Sequence, residues 1–147
     1  GGFEGGTVTW APTNITYGHN NRSAQFRFPQ NRYCIENRAA DMTMNVYLAL
    51  AMTLSAAMDG IKNKIDPGKP TDQDLYQMTE DQFKKLGIKR LPKNLLQAIE
   101  ALKNNKLSDE VLGSVMKKSF ISYKNDEWER YHQAVTDWEV KEYLRLY

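Results

Sequence analysis

Asn21-Arg22-Ser23-Ala24-Gln25-Phe26-Arg27-Phe28-Pro29, followed at once by Cys34-Ile35-Glu36-Asn37-Arg38, is the stretch on which the reading of this chain turns. Pro29-Gln30-Asn31-Arg32 is a tight connection, so residues 22–28 and 33–38 are expected to pair as an antiparallel hairpin. In the second strand Cys34, Glu36 and Arg38 share a face, with neighbours on that face about 6.5–7 Å apart. Arg22 and Arg27 are an odd number of positions apart, so both reach one site only if a bulge, a strong twist or a terminal position intervenes. Arg22, Arg27 and Arg38 around the single carboxylate of Glu36 are a costly set for a purely structural hairpin. The set suits a bound anion. Arginine's planar fork makes bidentate contacts to phosphate or carboxylate, and a carboxylate placed among arginines suits a divalent cation that bridges to phosphate. The plain alternative is a hairpin laced by surface ion pairs.

Outward from this stretch the chain turns helical. Residues 44–61 are apolar on nearly every side and rich in Ala and Met, which predicts a buried helix. Thr43, Asn45, Thr53 and Ser55 interrupt the run, which is shorter than the ~20 apolar residues a bilayer needs, so no membrane span is expected. Asp66-Pro67-Gly68-Lys69-Pro70 is a breaker. Thr79 reads as the N-cap of a helix ending at Gly87, Pro92 opens one running to about Asn104, and Ser108 is expected to cap a long helical stretch. A last turn or helix is expected over residues 137–147. Before the hairpin, the glycine-rich start is expected as a loop, residues 7–17 as extended chain, and Gly18-His19-Asn20-Asn21 as a turn. Strands first and helices after predict an α+β fold with helices packed on one face of a sheet.

Composition narrows the function. The 147 residues suffice for one domain with a core, and 20 Lys+Arg against 18 Asp+Glu leave a net charge of +2, too small to suggest a nucleic-acid or polyanion binder. Cys34, the only cysteine, excludes an internal disulfide and fits a reducing, cytoplasmic setting. The start of the chain is unlike a signal peptide and carries no methionine, and it reads as a piece of a longer protein. His19 and His132 have no companions at metal-ligand spacing and read as turn or surface residues. The methionines of the apolar helix read as packing. Trp128, Tyr131, Trp138, Tyr143 and Tyr147 are interleaved with acidic residues and read as core and subunit packing, not as a base-stacking platform.

At these residues the chain resembles the C-terminal part of a glutamine synthetase catalytic domain. The resemblance rests on Asn21-Arg22-Ser23-Ala24, Arg27-Phe28-Pro29, Ile35-Glu36-Asn37-Arg38, Asp41, Asn45-Val46-Tyr47-Leu48-Ala49 and Met58-Asp59-Gly60-Ile61. Asp74-Leu75-Tyr76, Leu91-Pro92, Lys124 with Glu127, and Trp138-Glu139 also stand where the family has similar residues. It covers essentially the whole chain as one portion of that domain, with residues 1–41 forming the flap and active-site strands and 42–147 the helical part. The flavour is similar to the divergent type I-like branch that includes γ-glutamylmethylamide synthetases.

The resemblance implies an ATP-dependent ligase that joins glutamate to ammonia or a small amine through γ-glutamyl phosphate, with Mg²⁺ or Mn²⁺. Carried over by position, Arg22 contacts the transferring phosphoryl group, ATP and glutamate. Arg27 contacts ATP phosphates, with Asn31 or Arg32 as a further nucleotide contact, and the ATP set is written Arg22, Arg27 and Arg32. Glu36 ligates a metal and Arg38 holds the α-carboxylate of glutamate. A transition-state arginine is worth ~10³–10⁵ in rate in phosphoryl transfer. Three positions depart from the family pattern. Trp10 stands where many type I enzymes place the flap glutamate, Cys34 replaces a usual arginine, and Val46 replaces a helix-opening proline. Glu4, in Gly2-Phe3-Glu4-Gly5-Gly6, resembles the surroundings of that glutamate but lies six residues early, so either Glu4 is the catalytic flap acid or another group is recruited. Tyr76 resembles a tyrosine that some type I enzymes have adenylylated, in different flanking sequence. The resemblance further implies a ring-shaped homo-oligomer of the full-length protein, no ligase activity in these residues alone, and no nucleic-acid or membrane partner. A non-catalytic relative with structural or interaction duties is the alternative.

Overall fold

The computed structural model describes residues 11–144 and 146; Glu4 and Trp10 lie outside them. The fold is α+β, and it divides into two compact units, Gly1–Lys93 and Asn94–Tyr147.

In the first unit the strands come early and are short: β1 (Asn14–Ile15), β2 (Tyr17–His19), β3 (Phe26–Phe28) and β4 (Glu36–Asn37). β3 and β4 pair antiparallel as the hairpin reading requires, with Arg27 directly opposite Glu36. Gly18 and His19, expected in a turn, belong instead to β2, which runs parallel to β3 in the register Gly18 to Arg27. β1 pairs antiparallel with β5 (Lys89–Arg90), a strand whose exposed basic residues gave no alternating signal. α1 spans Val46–Lys62, a turn of 3₁₀ helix spans Leu75–Gln77, and α2 spans Glu80–Leu86. Thr79 caps α2 and Gly87 ends it, as the sequence predicts; the structure adds that Thr79 and Gln82 form a reciprocal capping box and that Gly87 is left-handed. The core of this unit is small: Ala24, Leu75 and Phe83 are buried, with Met78 and Ile88 packed against them.

Parallel strands normally need a crossover of a dozen or more residues, yet β2 and β3 are joined by residues 20–25 alone. A buried polar latch makes that return possible. The Asn21 amide Nδ2 donates to the carbonyls of Thr71 (2.7 Å) and Gln73 (2.9 Å), while its Oδ1 accepts from the Ser23 N–H (2.9 Å) and hydroxyl (2.7 Å). The Ser23 hydroxyl oxygen then accepts from the Leu75 N–H at 3.0 Å. Thr71 also donates its N–H to the Tyr17 carbonyl at 2.8 Å, so residues 71–75 run along the far side of β2. Gly18 sits under this contact. A Cβ there would lie 2.3 Å from the Thr71 carbonyl oxygen and 2.8 Å from the Asn21 Cβ.

α1 departs from expectation. It begins as read, with the Asn45 side chain capping the N–H groups of Tyr47 and Leu48, but none of its residues is buried. Val46, Leu50, Leu54, Met58 and Ile61 form a stripe along one side that is 48–73% exposed. Periodicity reports that a helix wants cover but not what supplies it, and nothing among the described residues covers this stripe. No helix among the described residues is long and apolar enough to cross a membrane.

The second unit is helical: α3 (Leu95–Lys103), α4 (Lys106–Gln133) and α5 (Asp137–Tyr143). α3 starts at the Asn94 cap, and its Ile99 is buried. α4 is capped by Asn105, not Ser108: the Asn105 Oδ1 accepts from the Ser108 N–H, and the buried Ser108 hydroxyl bonds the carbonyls of Leu102 and Asn105. Gly113, at φ 68° and ψ 165°, breaks the helical course of α4, a conformation that glycine adopts without steric cost. The ammonium of buried Lys117 bonds the carbonyls of Lys103 and Asn105 and the Asp109 carboxylate, satisfying orphan carbonyls at the end of α3.

Two predictions test this description. Gly18→Ala drives a methyl group into the Thr71 backbone and should destabilise the unit by about 1–3 kcal/mol, the usual cost of overpacking. Asn21→Ala strips four bonds from buried groups and should cost at least about as much; urea unfolding of each variant reads both values. The exposed α1 stripe should bind an apolar-surface dye and promote self-association of the 147 residues. Leu50→Lys with Leu54→Lys should reduce both in fluorescence and light scattering.

Candidate functional site

The latch decides where Arg22 points. Asn21 and Ser23 on either side are buried, and the side chain between them is exposed. Arg22 lies ahead of β3 rather than within it, so strand alternation does not govern its face relative to Arg27. Its carbonyl accepts from the Arg38 Nε at 2.9 Å, and the Arg38 N–H donates to the Gln25 carbonyl at 2.8 Å, so the turn after β4 is tied to the loop bearing Arg22.

Around Glu36 the side chains converge. The Arg27 Nη1 donates to both carboxylate oxygens, at 3.1 and 3.0 Å, across the β3–β4 pair. The Arg32 Nη2 bonds the Oε1, and the Arg38 Nη1 lies 3.9 Å from the Oε2. Among the described residues three guanidinium groups thus surround this one carboxylate. Arg27, Glu36 and Arg38 are mostly withdrawn from solvent, at 15, 22 and 24% side-chain exposure, whereas Arg32 at 61% stands on the outer edge. The structure therefore gathers Arg27, Arg32, Glu36 and Arg38, and joins Arg22 to them through its main chain.

Asn20 was not expected here. Its Oδ1 accepts from the Arg27 Nη2, so Arg27 is held from two sides. Short Asn residues between two charged motifs carry no periodic signal, and only the loop geometry reveals this one. Asp72 is the other residue that spacing missed. It accepts from the His19 N–H at 2.6 Å and lies 3.3 Å from the His19 Nδ1, pinning the end of β2 to the 71–75 segment. The backbone N–H of His19 holds the Asp72 pKa below its usual value. Cys34 is an exposed free thiol, and Tyr76 donates its hydroxyl to the Ala11 carbonyl.

The hydrogen bond from Arg27, and after it that from Arg32, holds the Glu36 carboxyl below the usual glutamate range. Its folded pKa lies below the unfolded one, so the pair's contribution is complete above the ordinary range and is lost as pH falls through the depressed value. Glu36 is accordingly ionised at neutral pH. It belongs to no group of three His, Cys, Asp or Glu suited to a cation among the described residues. A carbon-detected NMR titration should find Glu36 titrating below ordinary glutamates, and Arg27→Ala should move it upward.

Comparison with known proteins shows the family of the chain. A family model described as "Glutamine synthetase, catalytic domain" matches residues 7–143. A glutamate–methylamine ligase from Methyloversatilis universalis is 42% identical over 140 residues, which make up 95% of this chain and 31% of that protein. A glutamine synthetase from Methanococcus maripaludis is 41% identical over 139 residues, covering 92% of this chain and 31% of the relative. Among solved structures, "GmaS/ADP complex-Conformation 1" superposes with a TM-score of 0.79 at 34% identity, covering 92% of this chain and 30% of that one. The ligand-free structure "Apo GmaS without ligand" gives 0.76 at 34% identity, over 91% of this chain and 30% of that one. The chain thus spans about a third of the length of the relatives it matches. Its match over residues 7–143 makes this chain a member of the glutamine synthetase catalytic-domain family.

Proposed function

We propose that the full-length protein carrying this chain is an ATP-dependent ligase that joins glutamate to ammonia or a small amine. The observation that carries the reading is the ring of Arg27, Arg32 and Arg38 around Glu36, beside exposed Arg22, in a chain of this family. The donor set fits a polyanion: Arg27 and Arg32 for nucleotide phosphates, Arg22 for phosphoryl group and glutamate, and Arg38 for the α-carboxylate of glutamate. The match to a GmaS structure solved with ADP supports the nucleotide assignment. For Mg²⁺ or Mn²⁺ the arginine cluster offers the carboxylate of Glu36, and among the described residues no group of three His, Cys, Asp or Glu suited to a cation occurs, so other oxygen ligands must come from elsewhere. When bound, ATP supplies the phosphoryl group that activates the γ-carboxylate, and the cation offsets phosphate charge. The chain's own part is to hold the anionic groups in line and neutralise them.

Glu4 stays the candidate flap acid. Relatives named for methylamine and for glutamine match almost equally, at 42 and 41% identity, so the acceptor is written as ammonia or a small amine. A ring-shaped homo-oligomer of the full-length protein in the cytoplasm, with no nucleic-acid or membrane partner, completes the reading. The exposed α1 stripe is in keeping with cover by further protein.

The test is amide formation by the full-length protein with glutamate, MgATP, and either ammonia or methylamine. Product with at least one acceptor is expected, Arg27→Ala should lower kcat/KM by about 10²-fold or more, and the 147 residues alone should form none. A full-length protein that makes no amide with either acceptor, while binding its partners normally, would favour a non-catalytic relative.

A further inference from the structure

We propose that Asn20 is a positioning residue for Arg27, its side chain holding the guanidinium at the angle from which it meets phosphate. The proposal rests on the reading of Arg27 as a nucleotide-phosphate contact. Asn20 takes a positive φ of 54°, a left-handed backbone conformation uncommon for a residue with a Cβ and tolerated best by asparagine and aspartate. The fold does not need the Asn20 side chain to tie the strand end. The Asn20 main-chain N–H already does so by donating to the Phe28 carbonyl at 2.9 Å. What the side chain adds is the acceptor for the Arg27 Nη2, opposite the Glu36 carboxylate that takes the Nη1.

Arg27 is itself not arranged for stability alone. Its Nε is buried and meets no hydrogen-bond partner among the described residues. Such an orphaned donor is costly and uncommon in a native fold. A guanidinium clamped at both terminal nitrogens while its inner nitrogen goes unsatisfied has had its orientation fixed at the expense of its hydrogen bonding. Fixed orientation is what a bidentate phosphate contact requires, because a freely rotating arginine loses that freedom on binding. The left-handed turn, the amide acceptor and the buried orphan nitrogen point to the same role.

Two substitutions separate positioning from folding in the full-length protein, with ADP and Mg²⁺ as the probe. Asn20→Gly removes the acceptor and eases the backbone; Asn20→Ala removes the acceptor and worsens it. Both should weaken ADP binding in calorimetry by about tenfold, the scale of one hydrogen bond to a charged group. Their melting temperatures should move in opposite directions, with Asn20→Gly at or above the parent. Steady-state kinetics should show the loss as a raised KM for ATP more than a lowered kcat. If Arg27→Ala weakens ADP binding and Asn20→Gly does not, Asn20 positions nothing and the phosphate reading of Arg27 stands. If only Asn20→Ala binds weakly, in step with its stability, the role is structural and the proposal fails. If Arg27→Ala itself binds ADP as the parent does, the phosphate reading falls and this proposal with it.

Discussion

The Asn21 side-chain amide is the interaction on which the rest of the first unit depends. It donates twice to main-chain carbonyls from residues 71–73 and accepts twice from Ser23, so all four of its hydrogen-bonding positions are filled in a buried place. A satisfied buried polar network specifies one arrangement, because each alternative leaves groups unpaired at about 1–3 kcal/mol apiece. Here the arrangement it specifies is a return tight enough to lay β3 parallel to β2. That register sets Arg27 beside Gly18 on one flank and opposite Glu36 on the other. Gly18 has to be bare because the same 71–75 segment that receives Asn21 passes within 2.3 Å of where its Cβ would be. The polar core and the small apolar core of Ala24, Leu75 and Phe83 are neighbours in sequence, interleaved along residues 21–24 and 71–75, so packing and hydrogen bonding fix the same loop.

Charge around Glu36 follows from that register. Among the described residues Glu36 is the one carboxylate within reach of Arg27 and Arg32, and partial withdrawal from water makes close like charges more costly than they would be on an open surface. A surface ion pair of ordinary kind contributes little, and nothing about hairpin stability calls for a second and third arginine. An anion that enters the site relieves the repulsion among them. The depressed Glu36 pKa has a further consequence: the carboxylate carries its charge without taking up or releasing a proton near neutral pH, so a cation arriving there need not compete with one. It must instead compete with Arg27 and Arg32 for the carboxylate oxygens.

What the sequence made legible, and what it hid, divides along a physical line. Local chemistry was readable: the Thr79 cap, the helix end at Gly87 and the β3–β4 pairing are each fixed by residues close to one another in the chain. Features held by distant partners were not. His19 became a strand residue because β3 and Asp72 give its backbone partners, and β5 exists because Asn14 and Ile15 pair with it; neither fact is written in the residues concerned. Asn105 displaced Ser108 as the α4 cap because the Ser108 hydroxyl is claimed by the carbonyls of Leu102 and Asn105. In the candidate site, the arginines and Glu36 announced themselves by charge and spacing, while Asn20 and Asn21 are silent in any periodicity and speak only through the loop they shape.

α1 carries the same lesson into function. Its apolar character was correctly legible, yet the inference from apolar to buried needs a second surface, and that surface is not among the described residues. The site shows the parallel condition in polar terms. Three arginines gather at Glu36, whereas no group of three His, Cys, Asp or Glu suited to a divalent cation, which takes several oxygens, occurs among the described residues. An apolar stripe without cover and a carboxylate outside any such group are independent deficits, one of hydrophobic surface and one of coordination. Both would be relieved by additional protein surface, and a chain spanning about a third of its relatives' length makes their remaining segments the natural source to compare it with.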